Sequence, residues 1–476
     1  MYTPPQEYMI RLHHIRPRFK SDIENVLVYM ASEIAKIPSK KRKQFANDVN
    51  EAVRRYPGNS NLPIKTINNW RTEISALFGF IERDGEDDLC GLRASELAET
   101  GDLVRLFKTF LYTFQYPGAH IKAEKIKELI VSGVKFKPAQ RILQILKAGE
   151  KISGSRAYLA KHEVCHMIFN DLRVVRENEP PEKTWERIFQ NRADNVVYNK
   201  KGDVTRYAGD IIDYMLAANL LVTYDSKKYY INSLEEETVQ KFILSTEWFG
   251  GYDSVYEKLE NNSDCEPSLD EINAQKDDWF YYVNRGLLDT DFSTDVIAFL
   301  SDGIGADSTD GEVVSDSAKY FKELLESGAE ISTKEIGDFG EALVIAHEKA
   351  RLIKEGADHL IHLITRVPTP FAIGYDINSR EVDERHRFIE VKTTISSKPI
   401  QQRSFRLTRN EWNSAETSRG QYFIYRLMVS KEQIKLYIIS DPVGLYKRDI
   451  ISMAPTEGAA ITFNPDTAGS YEELLS

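Results

Sequence analysis

Two stretches near the C-terminal end, QYFIYRLM (421–428) and KLYIIS (435–440), are apolar without the alternation of a half-exposed strand. They read as buried strands. Helix and strand signals alternate around them. Ser332 to Glu335 forms a Ser-x-x-Glu capping box that predicts a helix to about residue 355. FAIGYDI (371–377), RFIEVKTT (387–394) and SFRLT (404–408) have strand composition. A second box, Thr408 to Glu411, opens a short helix. Helix, three strands, helix and two strands predict an α/β domain with a mixed central sheet over residues 331–476.

The order helix-then-hairpin occurs twice upstream. In TINNWRTEISALFGFIERDG, Ile67, Trp70, Ile74, Leu77 and Phe78 follow helical spacing, and the strand FIER meets an Asp84-Gly85 turn. In YAGDIIDYMLAANLLVTYDSKKYYIN, Ile211, Ile212, Met215 and Leu216 line a helix, and two short strands flank DSKK. A winged helix ends in this way. Tandem winged-helix-like modules are therefore expected at residues 1–150 and 151–245, with helices able to enter a major groove. The pattern also fits packing helices of an α+β domain with no DNA role. Residues 246–330 read as an acidic helical segment and linker. SDGIGADSTDGEVVSDS (301–317) has linker composition and puts a boundary near residue 330. The expected fold is multidomain α+β, a helical N-terminal region followed by the C-terminal α/β domain.

The net charge of −11 is unevenly spread. Residues 1–230 carry +8, residues 231–330 carry −18 and residues 331–476 carry −1. The basic front remains compatible with a polyanion, because binding depends on the local patch. Candidate phosphate contacts are Lys40, Lys41, Arg42 and Lys43, a run that also reads as a solvated helix start. Asn69 and Arg71 before the first hairpin and Arg206 before the second join them. Three scattered cysteines, Cys90, Cys165 and Cys265, exclude a disulfide framework. No apolar run of about 18 residues is present to span a membrane, and the first residues lack the apolar stretch of a secretory signal. A soluble intracellular protein is expected.

Asp376 lies near the end of one predicted strand, and Glu390 and Lys392 sit one residue apart on the next. Strand side chains alternate, so Glu390 and Lys392 share a face. A hairpin between the two strands lets two carboxylates and an ammonium converge. Carboxylate oxygens suit Mg²⁺. Phosphodiester hydrolysis draws on such a set, with the lysine orienting water or offsetting developing charge. The spacing alone also fits a surface ladder of ion pairs.

Asp376 followed by Glu390-Val391-Lys392 resembles the core of the PD-(D/E)XK nuclease superfamily. More narrowly, IGDFGEALVIAHEKARL, GYDI, RFIEVKTT, FRLTRNEWNSAE and GQYFIYRL, in that order, are similar to the restriction-endonuclease-like domain named for the C-terminus of the plant protein NO VEIN. The likeness covers about residues 331–440. It implies that Asp376, Glu390 and the Val391 carbonyl hold Mg²⁺, with Mn²⁺ able to substitute, and that Lys392 is the catalytic lysine. Glu341 matches the acidic residue of the first helix, and Gly337 and Gly340 would let that helix approach the sheet. Gln421 and Tyr425 match a Gln-x-x-x-Tyr element, which also reads as ordinary core. Lys398, Arg406 and Arg409 are further candidate phosphate contacts. The front of the chain resembles the recognition region of type IIS restriction endonucleases.

Together these resemblances imply a sequence- or modification-specific DNA endonuclease acting on double-stranded DNA, in restriction or phage defence, in a prokaryotic cytoplasm. One such centre cuts one strand, so double-strand cleavage calls for a homodimer on DNA or a second nuclease subunit. A cognate methyltransferase is the other expected partner. The alternative is an inactive nuclease fold that serves as a DNA-binding scaffold. A remote alternative is a zinc peptidase, because His162-Glu163-Val164-Cys165-His166 matches H-E-x-x-H. That segment also fits an ordinary amphipathic helix.

Overall fold

A computed structural model describes residues 2, 4–12, 17, 19–199, 203–261, 266–285, 292, 294, 296, 299–300, 336–367, 374–401, 403–455 and 458–475. The linker expected at 301–317, the boundary near 330 and the capping box at 332–335 lie outside these residues. The chain divides into two compact units. One comprises Met1–Ser21, Ser39–Arg93 and Arg105–Phe292, the other Asp22–Pro38, Ala94–Val104 and Ser293–Ser476. No helix among the described residues is long and apolar enough to cross a membrane.

The first unit is mainly helical and holds two small sheets of like connectivity. Strands β1 (Lys40–Lys41), β2 (Ile81–Asp84) and β3 (Asp87–Cys90) are ordered β1-β3-β2. Strands β4 (Tyr158–Leu159), β5 (Leu221–Thr223) and β6 (Tyr229–Ile231) are ordered β4-β6-β5. Asp84 pairs with Asp87 across Gly85 and Glu86, where Gly85 takes φ +57°, the left-handed conformation a tight hairpin turn needs. Helix Ile64–Thr72 continues through a widened turn, Glu73–Leu77, and Ile67, Trp70, Ile74, Leu77 and Phe78 are all buried as their spacing predicts. Helix Asp203–Ala217 buries Ile211, Ile212 and Met215. The basic run differs from its expected form. Lys40 and Lys41 are not a helix start but strand β1, paired with Asp88 and Asp87, and the helix begins only at Arg42. Lys41 pairs with Glu86 of the hairpin turn and Asp87 of β3, and Lys40 pairs with Asp48 of the helix.

The second unit is built on a mixed sheet of β7 (Thr365–Arg366), β8 (Ile377–Arg380), β9 (His386–Ser396), β11 (Tyr422–Ser430), β12 (Ile434–Ser440) and β15 (Ser470–Glu472). Its order is β15-β12-β11-β9-β8-β7, and β9 and β11 run parallel. A smaller sheet joins β10 (Ser404–Thr408), β14 (Gly458–Phe463) and β13 (Ile451–Pro455). Every residue of β11 is buried. One face of the large sheet, with Ile389, Val391, Phe423 and Leu427, packs on Phe339 and Leu343 of helix Ile336–Lys354. The other face, with Tyr422, Ile424 and Ile439, packs on Phe405, Leu407 and Ile461 of the small sheet and Ala415 of helix Arg409–Ser418. Coverage on both faces accounts for the unbroken apolar run.

Gly340 sets the first of these packings. A Cβ there would sit 1.8 Å from Thr393 Oγ1, so only glycine lets the helix lie this close to β9. Gly337 meets nothing within 4 Å, so the part expected of it in that approach falls to Gly340 alone. The strand expected at 371–377 is shifted. β8 begins at Ile377, Asp376 stands just before it, and residues 371–373 lie outside the described ones. Gly374, at φ +87°, turns the chain against Asn410 immediately upstream, which delays the pairing.

Candidate active site

Register places the pieces. Ile377 on β8 pairs with Ile389 on β9, so β9 runs on past the start of β8. Asp376 fills the space beyond this last pair. Its N–H donates to the Ile389 carbonyl at 2.9 Å, and its Oδ2 accepts the Val391 N–H at 2.8 Å. The N–H and C=O of one strand residue point the same way, so the Val391 carbonyl faces the Asp376 side as well. Farther along this edge Ile395 donates to the Gly101 carbonyl. Glu390 and Lys392 share a face of β9, and the Glu390 carboxyl hydrogen-bonds that of Asp376. Lys392 Nζ lies 2.6 Å from Glu390 Oε1. The aspartate, the glutamate and the lysine thus meet at one point.

The electrostatics of this point are unbalanced. Burial, opposed by the Lys392 charge, pushes the Asp376 carboxyl above its ordinary range. Glu390 is 3 % exposed, and burial raises its carboxyl well above the usual value. Glu341, on helix Ile336–Lys354, is raised to about 7 by burial and by the charge of Asp376, against the pull of Arg366. Arg366 reaches both Glu341 and Asp338. Two close carboxylates that are costly to ionise, with a strand carbonyl turned the same way, form the hard-oxygen set that suits Mg²⁺. Among the described residues no three His, Cys, Asp or Glu side chains converge as a metal cluster.

One participant was read from the sequence only as a helix cap. Glu411 Oε2 accepts from Lys392 Nζ at 2.9 Å and from the Thr408 N–H at 3.0 Å. The capping box at Thr408 was legible in the sequence, and its position straight after a strand of this domain is the signal that could have placed Glu411 here. Gln421 is not brought to the carboxylates by any described contact. It ends a single turn, Arg419–Gln421, ahead of β11. Tyr425 faces the opposite side of the sheet, where its hydroxyl donates to Glu348 Oε1 at 2.6 Å and accepts from Arg387.

The other candidates are spread out. Arg406 lies 3.7 Å from Glu99, and Lys398 and Arg409 are exposed. Lys40 pairs with Asp48, Lys41 with Glu86 and Asp87, and Arg42 with Asp277, whereas Lys43 is exposed. Arg71, half-buried, donates to Asn50 and Asn68. Asn69 and Arg206 behave differently. Both line a cleft of about 980 Å³ in that unit, together with Lys20, Lys65, Lys122 and Lys276. Lys65, Asn69 and Thr72 reach it from one face of helix Ile64–Thr72, opposite the buried Ile67 and Trp70.

The H-E-x-x-H segment is not arranged for zinc. Its α-helix stops at Glu163, Val164–Phe169 is a widened turn, and among the described residues no third His, Cys, Asp or Glu joins the two histidines as a metal ligand. Glu163 is clamped by Arg192 through both carboxylate oxygens at 2.7 Å, which removes it as a base. His166 Nε2 meets the Asn199 carbonyl at 2.8 Å, and both imidazoles lie against Tyr198.

Comparison with known proteins gives two family matches. Residues 340–439 match the family described as protein NO VEIN, C-terminal. Residues 2–280 match the family described as restriction endonuclease BpuJI, N terminal. A crystal structure of pyrene- and phenanthrene-modified DNA in complex with the BpuJ1 endonuclease binding domain shares the fold over 60 % of this chain and all of that one, with a TM-score of 0.50 and 22 % identity. No curated protein matches. More than half of its length lies within the first of these profiles in chain order, and the chain belongs to the BpuJI N-terminal restriction endonuclease family.

Proposed function

We propose that the protein is a Mg²⁺-dependent DNA endonuclease of the restriction type, with the first unit holding duplex DNA and the second hydrolysing a phosphodiester bond. The observation that carries this reading is the meeting of Asp376, Glu390 and Lys392 where β9 runs past the start of β8. Family membership and the DNA complex of the structural neighbour support the DNA partner. The cleft lined by Asn69 and Arg206 is its proposed seat, and the two three-stranded sheets with their preceding helices are read as winged helices.

Asp376, Glu390 and the Val391 carbonyl would hold the metal, which supplies Lewis acidity toward a phosphate oxygen and an acidified water. The chain's own groups do the rest. Lys392 offsets negative charge that develops on the phosphate. Glu341, titrating near neutrality, takes the proton of the attacking water. Asp376 also fixes the Val391 peptide through its accepted hydrogen bond. A second copy of the chain on DNA, or another nuclease subunit, would cut the other strand, and a methyltransferase would protect host DNA.

The test is cleavage of varied duplex DNA by purified protein in Mg²⁺. Asp376→Ala and Lys392→Ala should abolish cutting and leave DNA affinity intact. Undiminished cutting by Asp376→Ala would overturn the assignment. Arg206→Ala should weaken DNA binding and lower the salt slope by about one.

A further inference from the structure

The first unit carries a second recess, of about 500 Å³, which shares no lining residue with the cleft. It opens at the N-terminal end of helix Pro138–Ser153, where unsatisfied N–H groups and the positive end of the helix dipole favour an anion. Lys137, the residue before the helix, and Arg141, one turn on, form its wall and are 8 % and 6 % exposed.

Neither of these buried cations forms an ion pair. Lys137 Nζ donates to the Glu247 carbonyl at 2.8 Å and lies 5.0 Å over the Tyr112 ring. Arg141 donates to Gln144 Oε1 at 3.3 Å and to the Glu179 carbonyl, and its Nε is buried without a partner. Burial pushes Lys137 down to about 8 and lowers Arg141. The carboxylates of the recess are Glu247, which acts on Lys137 only at a distance, and Asp253, which pairs with Lys135 at the rim. Neither cation touches a carboxylate; the charge of Glu247 on Lys137, and those of Glu179 and Glu182 on Arg141, act without ion-pair contact, so burial still lowers both and an anion bound in the recess would offset that cost. Trp248 adds a flat aromatic wall.

We propose that this recess binds the phosphate of a nucleotide, with Lys137 and Arg141 as the buried contacts and Trp248 as the surface for the base. The site is independent of the cleavage reading. Its phosphate belongs either to a free nucleotide or to a DNA strand, and the test separates the two.

Thermal unfolding of the full chain is measured in phosphate-free buffer with chloride, inorganic phosphate or a deoxynucleoside 5′-monophosphate at equal ionic strength. At about 10 mM the two phosphate ligands should raise the Tm by roughly 2–4 °C over chloride. Lys137→Met should lose this rise and should melt higher than wild type without ligand, since it deletes an unpaired buried charge. Arg176→Gln, at the exposed rim, leaves the fold intact and should weaken the effect. If Lys137→Met also lowers duplex affinity and reduces its salt slope by about one, the phosphate is that of a strand. If duplex affinity is unchanged while the mononucleotide effect is lost, the ligand is a free nucleotide. No rise over chloride in the wild-type protein, or a rise retained by Lys137→Met, overturns the proposal.

Discussion

Strand β9 presents an ionic cluster on each of its faces, and the two are balanced in opposite ways. On the face toward helix Ile336–Lys354, Glu348 is 0 % exposed yet fully matched. It accepts from Arg351 at 2.8 Å, Arg387 at 3.2 Å, Ser379 at 2.7 Å and Tyr425 at 2.6 Å. Burial would raise its carboxyl, but the hydrogen bonds of Arg351 and the charge of Arg387 hold it at about 2. On the other face, Glu390 shares one lysine with Glu411 and touches a second carboxyl, so burial wins and its carboxyl rises. The first cluster closes its own charge account and needs nothing further. The second has surplus carboxylate, the property a hard divalent cation requires. Buried acids on the two sides of one strand, Glu348 from the helix and Glu390 from β9, thus differ in purpose according to the count of cations around them, not their depth.

The widest separation of the two comes from matched amide substitutions. Glu390→Gln should cost cleavage about 10³-fold or more, the scale of losing a group that serves transition-state charge, while the melting temperature holds or rises. Glu348→Gln should do the reverse. Placing an amide among Arg351, Arg387 and Tyr425 breaks a buried network, at roughly 3–5 kcal/mol, and lowers the Tm by several degrees. The activity of each folded molecule should be kept. Calorimetry beside single-turnover cleavage reads both. An inactive but stable Glu348→Gln would invert the comparison.

The pH dependence of stability separates the clusters next. Glu348 is depressed from 4.5 to about 2, so its stabilisation is complete above about pH 4.5 and is lost as pH falls through 2. Glu341 is raised from 4.5 to about 7, so the metal-free fold is favoured below pH 4.5 and loses stability as pH rises through 7, on the order of 3 kcal/mol in all. Denaturant unfolding of the full chain from pH 4 to 8 should show that alkaline decline without Mg²⁺ and a flatter curve with it. A decline that Mg²⁺ leaves unchanged would detach Glu341 from the metal.

The two faces were not equally legible in the sequence. Period-two alternation on RFIEVKTT was enough to put Glu390 and Lys392 on one side, and the capping box at Thr408 was found where it stands. Asp376 was read as the end of a strand, whereas it precedes one, because the turn imposed by Gly374 against Asn410 depends on a helix distant in sequence. Tyr425 was read with Gln421 as one element, but alternation along β11 puts Tyr425 in register with Val391, on the face of Glu348. The Glu348 network was invisible, since its members come from a helix and three strands with no common spacing. In the first unit, Asn69 and Arg71 looked alike two residues apart, yet helix geometry sends one to the cleft and the other to Asn50.

The smallest predicted effect is the sharpest test of how the unbalanced face works. Glu411 caps a helix and holds Lys392 with the same oxygen. A glutamine at this position preserves the capping box, because the amide oxygen still accepts from the Thr408 N–H, but it removes the charge that fixes the ammonium. Glu411→Gln should therefore lower kcat about 10- to 100-fold, the usual cost of losing a partner behind a functional group, with KM for DNA and the Tm nearly unchanged. Thr408→Ala takes away the other half of the box and leaves the charge. It should cost about 1 kcal/mol of stability and little kcat. If the two variants lose kcat equally, Glu411 is only a cap. Lys392 would then depend on Glu390 alone, and the surplus carboxylate on this face would be one fewer than the geometry indicates.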